Sequence, residues 1–259
     1  MKTKKKYGQH FLINTGIKEK INDSIKSLVP ENSNVLEVGP GQGVLTKYLL
    51  NENYRLKVVE IDEDMVTILH RDLPELKPEQ IHLGDMIRMP IESFFGEENF
   101  YLVGNFPYNV SSQLLIKMFE HHQRIPGMVG MFQKEVADRV VAKPGSKTYG
   151  ILSVLVQSYF DCKRLFLVSR GSFNPPPKVD SAVISVERNS IKELNCSKKL
   201  FKRVVKLTFN QRRKMMRNTL KELVPHSELL HQEIFTKRPE QLSVDDFIYI
   251  TQLIEKEIS

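Results

Sequence analysis

Short apolar runs alternate with segments of helical spacing through the first half of this 259-residue chain. Runs with strand character occupy residues 34–38, 56–61, 80–83, 101–104 and 128–132. Segments with an apolar residue every three or four positions lie between them, as at 44–50, 65–69 and 111–119. Strands and helices in alternation indicate βαβ units, which place their strands parallel in one sheet. The pattern therefore predicts an α/β domain with a mainly parallel, doubly wound sheet.

An amphipathic helix precedes this sheet, and two further runs follow it. Ile17, Ile21, Ile25 and Leu28 recur at helical spacing before Pro30, which ends the predicted helix. Residues 164–168 and 182–186 flank a Pro-rich turn at 174–177, and they predict a hairpin-like end to the sheet.

The pattern changes beyond Glu187. Residues 201–209, 220–224 and 247–254 have helical periodicity, and no clear strand separates them. We therefore predict two domains: residues 1–187 containing the sheet, and residues 188–259 forming a small all-helical domain.

Composition excludes several protein classes. Hydrophobic residues make up 41% of the chain and charged residues 27%, as in ordinary soluble proteins. The two cysteines, Cys162 and Cys196, form no CxxC pair, so we expect a reducing compartment and no thiolate metal site. No apolar run approaches the roughly 18 residues of a membrane span, and the basic N-terminus lacks the apolar region of a secretory signal. These features predict a cytoplasmic protein without membrane contact.

Positive charge is concentrated in one segment. Residues 198–221 contain ten Lys or Arg and no Asp or Glu, so this segment carries +10 while the rest of the chain sums to −3 and the whole to +7. Four more lysines lie among the first six residues. One-sided charge of this kind favours a polyanionic partner, most simply nucleic acid. The expected RNA contacts are Lys147, Lys202, Arg203, Lys206, Arg212, Arg213, Lys214 and Arg217.

A glycine-rich segment follows the first predicted strand. Residues 37–43 read Glu-Val-Gly-Pro-Gly-Gln-Gly and lead into a predicted helix, as a nucleotide site in a doubly wound sheet requires. The segment lacks the dinucleotide pattern G-x-G-x-x-G, because position 44 is Val. The form acidic-x-G-x-G-x-G is instead associated with S-adenosylmethionine.

Two acidic residues follow at the ends of the next strands. Glu60 lies 21 residues after Gly39, where its carboxylate could accept hydrogen bonds from both hydroxyls of a ribose. Asp85 follows the third strand and could accept from an adenine amine. Either residue alone could be a surface acid, but three features in order at strand ends predict one cofactor site.

The tetrapeptide Asn-Phe-Pro-Tyr at residues 105–108 predicts the chemistry. The exocyclic amine of a nucleobase is a poor nucleophile because its lone pair is delocalised into the ring. Hydrogen-bond acceptors can hold the amine pyramidal, and the predicted acceptors are the side-chain oxygen of Asn105 and the carbonyl of Pro107. Tyr108 could stack on the base. Together with the glycine segment, the tetrapeptide predicts a methyl donor facing an amine.

Other chemistries find less support. Gly145-Ser146-Lys147-Thr148 is similar to a phosphate-binding loop, but the required first glycine is replaced by Val140, so a flexible loop near RNA is expected instead. The histidines lack metal-ligand spacing, and we predict no metal site.

Longer segments identify a family resemblance. The chain resembles the small-subunit (16S) ribosomal RNA adenine N6,N6-dimethyltransferases over nearly its whole length. The family's N-terminal G-Q-[NH]-F-L is matched at residues 8–12, and its N-[LI]-P-[YF] at 105–108, with Phe106 in place of the usual aliphatic residue. Further similar segments are residues 133–139, 146–150, 173–181, 209–214 and 217–218.

The resemblance implies a fold and a reaction. The implied fold is a Rossmann-like class I S-adenosylmethionine-dependent methyltransferase domain followed by a helical RNA-binding domain. The implied reaction transfers two methyl groups from S-adenosylmethionine to each of two adjacent adenosines, in a hairpin near the 3′ end of the small-subunit RNA. The implied partner is 16S ribosomal RNA within the small subunit or its precursor, and the protein is expected to be a monomer.

The resemblance also implies residue roles. The expected cofactor contacts are His10, Leu12, Gly39, Gly41, Glu60, Asp85 and Asn105. Phe173 is expected to form a second aromatic wall beside the target base, with a core Phe next to the Pro-rich turn as the alternative.

Two alternative functions remain open. One is the related 23S ribosomal RNA adenine methyltransferase of macrolide resistance, which lacks the basic pattern at 209–218. The other is a non-catalytic RNA-binding assembly factor on the same scaffold, which a lost cofactor site would favour.

Overall fold

A computed structural model describes residues 10–258 of the chain. The strands are β1 (Phe11–Leu12), β2 (Asn34–Val38), β3 (Arg55–Glu60), β4 (Ile81–Leu83), β5 (Tyr101–Asn105), β6 (Gly127–Gln133), β7 (Phe160–Val168), β8 (Phe173–Asn174) and β9 (Ser181–Arg188). The α-helices are α1 (Thr15–Leu28), α2 (Thr46–Leu49), α3 (Glu63–Asp72), α4 (Glu92–Phe95), α5 (Ser111–Glu120), α6 (Lys134–Val140), α7 (Ile151–Gln157), α8 (Lys198–Asn210), α9 (Met216–Leu220) and α10 (Val244–Ile258). The four lysines of the first six residues, and Gly8 and Gln9, lie outside the described residues.

Seven strands form one mainly parallel sheet in the order β4-β3-β2-β5-β6-β9-β7. The five strands from β4 to β6 pair in parallel, and β9 joins β6 antiparallel. The chain runs outward from β2 to β4 and then returns to β5 on the other side of β2. Ligands of doubly wound sheets bind at this point of reversal, above the carboxyl ends of the strands. The predicted fold class is confirmed.

Strand β2 is buried along its whole length, and β6 nearly so. All five residues of β2 are buried, as are the first six of β6. Parallel strands covered by helices on both faces lose contact with water on both sides, so they require continuous apolar sequence. This is why the sequence pattern located these strands within one or two residues.

The carboxyl-terminal part of the sheet matches the predicted hairpin-like end. β9 lies between β6 and β7, so the segments on either side of the Pro-rich turn are neighbours. Residues 173–174 of that connection form β8, which pairs antiparallel with the short strand β1. This two-stranded sheet brings His10 and Leu12 next to the Pro-rich turn.

Contacts divide the chain into two compact units whose bounds differ from the predicted single boundary near residue 187. One unit comprises residues 1–137 and 161–188, and the other comprises residues 138–160 and 189–259. Residues 138–160 join the second unit because α7 packs against α8 and α10. Leu155 and Val156 of α7 are fully buried. Apolar periodicity alone does not say which core a helix joins.

Within residues 10–258 no helix is both long and apolar enough to cross a membrane. No group of three or more His, Cys, Asp or Glu among the described residues is arranged to hold a metal ion. Neither Cys162 nor Cys196 forms a disulfide in the described part of the chain.

Candidate active site

The glycine-rich segment forms a tight turn between β2 and α2. Gly39 and Gly41 have φ values of 70° and 55°, a region that residues with a side chain rarely adopt. A Cβ atom at Gly39 would lie 3.2 Å from the Pro107 ring, and one at Gly41 would lie 3.2 Å from the Phe11 ring. These two glycines therefore allow the turn to approach both the segment after β5 and the strand β1.

One cavity opens above the carboxyl ends of β2 to β5. Its walls include nine predicted site residues: His10, Leu12, Gly39, Gly41, Glu60, Asp85, Asn105, Pro107 and Tyr108. Met86, Ile87 and Ile61 add apolar surface beside the two acids. The structure thus brings the glycine segment, both strand-end acids and the tetrapeptide at 105–108 to one place.

Glu60 is fixed by the backbone around it. Its Oε1 accepts hydrogen bonds from the N–H groups of Ile61 and Asp62, at 2.9 and 3.0 Å, and its Oε2 accepts one from Gly41 at 3.1 Å. Burial raises the pKa of the carboxyl, and these hydrogen bonds oppose the shift. The carboxylate has about four acceptor positions, so one of them remains for a ligand.

Asp85 also lines the cavity. Its Oδ1 accepts a hydrogen bond from the Ile87 N–H at 2.9 Å, and its Oδ2 lies 3.5 Å from Arg88 Nε. The Ile87 bond fixes the direction of the carboxylate, and the cavity reaches it, as recognition of an adenine amine would require.

Glu37 is a cavity residue for which the sequence analysis assigned no role. It is only 2% exposed, and the hydroxyl of Thr46 donates a hydrogen bond to it at 2.7 Å. Burial is the main cause that raises its pKa to about 8, although the Thr46 bond lowers it. Glu37 is the acidic residue that begins the glycine segment, and this position was the feature of the sequence that could have indicated its place in the cavity.

Asn105 lies at the end of β5 with its amide held from one side. Its Nδ2 donates to the carbonyl of His10 at 3.2 Å, so its Oδ1 is left to accept from another group. His10 is held in turn, because its Nδ1 lies 2.9 Å from the Pro175 carbonyl. The His10 and Tyr108 rings stack at 5.5 Å with an angle of 29° between their planes.

The Pro107 carbonyl differs from the prediction, because it is already occupied within the chain. It accepts from the Val110 N–H at 3.1 Å and from the Ser111 hydroxyl at 3.0 Å, where α5 begins. A carbonyl oxygen has two lone pairs, so both are used. No donor in the described part of the chain reaches the Phe106 carbonyl, one residue earlier. Phe106 also lines the cavity.

Phe173 also differs from the prediction. It is absent from the cavity wall, and its side chain is only 2% exposed. It pairs with Leu12 across the β1–β8 sheet and belongs to the hydrophobic core. The alternative interpretation, a core Phe beside the Pro-rich turn, describes its position.

Comparisons with known proteins place this geometry in a family. A family model described as "Ribosomal RNA adenine dimethylase" matches residues 1–256. The chain belongs to this family. A relative named "Ribosomal RNA small subunit methyltransferase A", from Bacteroides thetaiotaomicron, is 49% identical over 257 residues, which cover 99% of this chain and 95% of the relative.

Two solved structures support the fold of the family. A dimethyladenosine transferase from Plasmodium falciparum has a TM-score of 0.80 at 26% identity, covering 96% of this chain and 98% of the other. The 23S rRNA methyltransferase ErmE has a TM-score of 0.65 at 23% identity, covering 93% and 99%, which shows the shared fold alone. The chain therefore has the fold of a class I S-adenosylmethionine-dependent methyltransferase.

The basic residues of the second unit fall into two groups. Lys147, Arg203, Arg213, Lys214 and Arg217 are exposed, as expected for phosphate contacts, and Lys202 and Lys206 are half-buried on the same helix α8.

Arg212 differs from the others. Its guanidinium donates to the carbonyls of Ser146 and Lys147, at 3.1 and 2.8 Å, and lies 3.9 Å from the Glu240 carboxylate. Arg212, two residues after the end of α8, therefore holds the loop at 145–148 in place, which is a structural role.

Proposed function

We propose that this protein transfers methyl groups from S-adenosylmethionine to the exocyclic amines of two adjacent adenosines, in a hairpin near the 3′ end of 16S ribosomal RNA. The observation that carries this proposal is the shared cavity, whose wall includes both Glu60 with the glycine segment and Asn105 with Tyr108. Membership in the ribosomal RNA adenine dimethylase family supports the same reaction.

The cavity residues fit this cofactor. The turn at Gly39 and Gly41 lets a nucleoside approach the backbone, and Glu60 retains an acceptor position for a ribose hydroxyl. Asp85, with the apolar residues Met86 and Ile87, suits a purine. His10, Leu12 and Asn105 complete the proposed contacts on the other side. When bound, the cofactor supplies an electrophilic methyl group and a neutral leaving group.

The residues at 105–108 position the amine. We assign the two acceptors to Asn105 Oδ1 and the Phe106 carbonyl, because the Pro107 carbonyl already accepts two hydrogen bonds. Two acceptors hold the amine hydrogens and direct the nitrogen lone pair toward the cavity. Tyr108 provides the stacking surface for the base, which leaves its own stack at a cost of a few kcal/mol. No general base is needed. Methyl transfer leaves a positive charge on the amine nitrogen, and this cation is a strong acid that loses its proton readily.

The second unit supplies the proposed RNA-binding surface. Lys147, Lys202, Arg203, Lys206, Arg213, Lys214 and Arg217 would contact phosphates, and Arg212 would hold the loop that presents Lys147. The proposed partner is 16S ribosomal RNA in the small subunit or its precursor, bound by one copy of the chain. A ribosomal substrate and two cysteines that form no disulfide support a cytoplasmic location.

The replacement Asn105→Ala tests this function. We expect methyl transfer to fall by at least about 100-fold, because one of two amine acceptors is lost, while RNA affinity stays within about twofold. Transfer of tritiated methyl groups to unmethylated small subunits measures the first quantity, and filter binding measures the second.

Asn51→Ala is the matched control, since Asn51 is exposed just after α2 and its side-chain amide donates to the Lys47 carbonyl, away from the cavity. Full activity of Asn105→Ala would overturn the assignment of this residue. Tight RNA binding by the wild-type protein without any methyl transfer would instead favour a non-catalytic assembly factor.

A further inference from the structure

Two glycines face each other across the strands that carry the tetrapeptide. Gly104 of β5 and Gly130 of β6 are direct partners in the parallel register. Neither has a side chain, so the sheet has a bare slot at this point. The slot lies two residues before Phe106, and positions two apart along an extended chain share a face.

The ring of Phe106 fills the slot. A Cβ atom at Gly130 would overlap Cε2 of Phe106 and lie 2.7 Å from its Cδ2 and 2.9 Å from its Cζ. A Cβ atom at Gly104 would lie 3.2 Å from Cε1 of the same ring. Phe132 closes the remaining side, with ring centroids 5.0 Å apart. Phe106 is consequently only 1% exposed.

The position of this ring is tied to the reacting groups. Phe106 stands between Asn105 and Pro107, and its own carbonyl is the proposed second acceptor for the amine. Its N–H donates to the Met131 carbonyl at 3.2 Å, which extends the β5–β6 ladder by one bond. Because the interior is closely packed, a shift of the ring moves the backbone that carries both acceptors.

We propose that Phe106 and Gly130 are a size-matched pair that positions the amine acceptors of this enzyme. Phe106 positions the two amine acceptors through the packing of its ring. Gly130 has no side chain and so leaves the space that this ring occupies. The pair explains why Phe106 stands at a motif position that is usually aliphatic. With glycine at 130 the sheet has room for an aromatic ring, whereas a smaller side chain at 106 would leave room for a side chain at 130. The proposal rests on the proposed function, because it assigns a position to the same two acceptors.

Three variants test the pair: Gly130→Ala, Phe106→Leu, and both together. Gly130→Ala should lower kcat by about tenfold or more, because the displaced ring shifts the acceptors, while the Kd for S-adenosylhomocysteine stays within about twofold. Phe106→Leu should lower kcat by a smaller factor of about three to ten, because the ring leaves a partly empty slot. The double variant restores the total volume, so its kcat should return to within about threefold of wild type.

Gly16→Ala is the matched control, because a Cβ atom there would meet nothing closer than 3.6 Å. If Gly130→Ala does not fold but the double variant folds and turns over, the pair is supported. Unchanged kcat in folded Gly130→Ala, a parallel loss of cofactor affinity, or a double variant as poor as the worse single variant would each overturn it. If the wild-type protein transfers no methyl groups, the proposed function fails; the pair is then judged by whether the double variant regains the melting temperature that Gly130→Ala loses.

Discussion

Glu37 shows how a single buried carboxyl can couple this fold to pH. The residue lies on β2 beneath the glycine turn, and burial raises its pKa from 4.5 to about 8. The folded chain therefore keeps a proton on Glu37 up to about pH 8, whereas the unfolded chain releases it near pH 4.5. Between these values the folded state binds more protons, so the free energy of unfolding decreases as pH rises.

Glu37→Gln should remove this dependence. We expect the wild-type free energy of unfolding to fall between about pH 5 and 8, with up to about 1.4 kcal/mol per pH unit from Glu37, and the variant to follow a flatter line. Urea unfolding at several pH values measures both slopes. Glu19→Gln, at an exposed position of α1, should keep the wild-type slope. Equal slopes for wild type and Glu37→Gln would contradict the account.

The sequence predicted that the candidate residues at strand ends lie together, and one cavity includes them. Successive parallel strands end at or just before Gly39, Glu60, Asp85 and Asn105, so topology alone brings these residues to one edge of the sheet. The Pro107 carbonyl was beyond the reach of such reasoning. Its occupation depends on the first turn of α5, where the Ser111 hydroxyl folds back onto it.

At the scale of elements, the bounds of a strand were predicted best where the strand is buried throughout. β2 was predicted to the residue because none of its positions faces solvent. β7 begins at residue 160 rather than 164, since exposed positions such as Asp161 and Lys163 interrupt its apolar pattern. The expected helix at 220–224 is displaced, because α9 spans Met216–Leu220. Leu220 and Val224 are both buried, so their helical spacing reflects a turn that packs against the core just after α9.

The loop at 145–148 is held in place by residues that are distant in the sequence. Arg212 holds the carbonyls of Ser146 and Lys147, and the Gly145 N–H donates to the Glu240 carbonyl at 2.6 Å. A Gly-Ser-Lys-Thr segment predicts flexibility. Hydrogen bonds with residues about 65 and 95 positions away instead hold the segment in place. Local sequence patterns do not reveal contacts at such separations.

Arg212→Ala should therefore behave differently from its neighbour. We expect it to lower the free energy of unfolding by about 1–3 kcal/mol, because two charge-assisted hydrogen bonds to carbonyls are lost. Arg213→Ala is the matched control: its exposed side chain should leave stability within about 0.5 kcal/mol while weakening RNA binding. Urea unfolding and filter binding separate the two effects. Arg212→Ala with wild-type stability would show that the loop needs no such support.

At the scale of the whole molecule, the charges divide by region. Residues 198–221 carry +10 and the remainder −3, so the field that attracts a polyanion originates from one segment of the second unit. The cavity and its acids belong to the first unit. The residues proposed for methyl transfer and those proposed for RNA binding thus form separate sets, and we expect a substitution in one set to leave the other function intact.

RNA affinity should depend on salt through these exposed cations rather than through net charge. Each neutralised phosphate contributes about 0.7 to 0.9 to the slope of log K against log salt, so affinity should fall by about one order of magnitude or more between low and physiological salt. Replacing Arg213, Lys214 and Arg217 by Gln should reduce the slope by about 2 to 3, if each contacts one phosphate. Replacing the exposed Lys20, Lys77 and Lys163 by Gln removes the same charge from the first unit and should leave the slope unchanged. Filter binding across a salt series distinguishes the two triple variants. Equal flattening by both would mean that the protein attracts RNA through its overall charge, because local phosphate contacts respond only to the residues that make them.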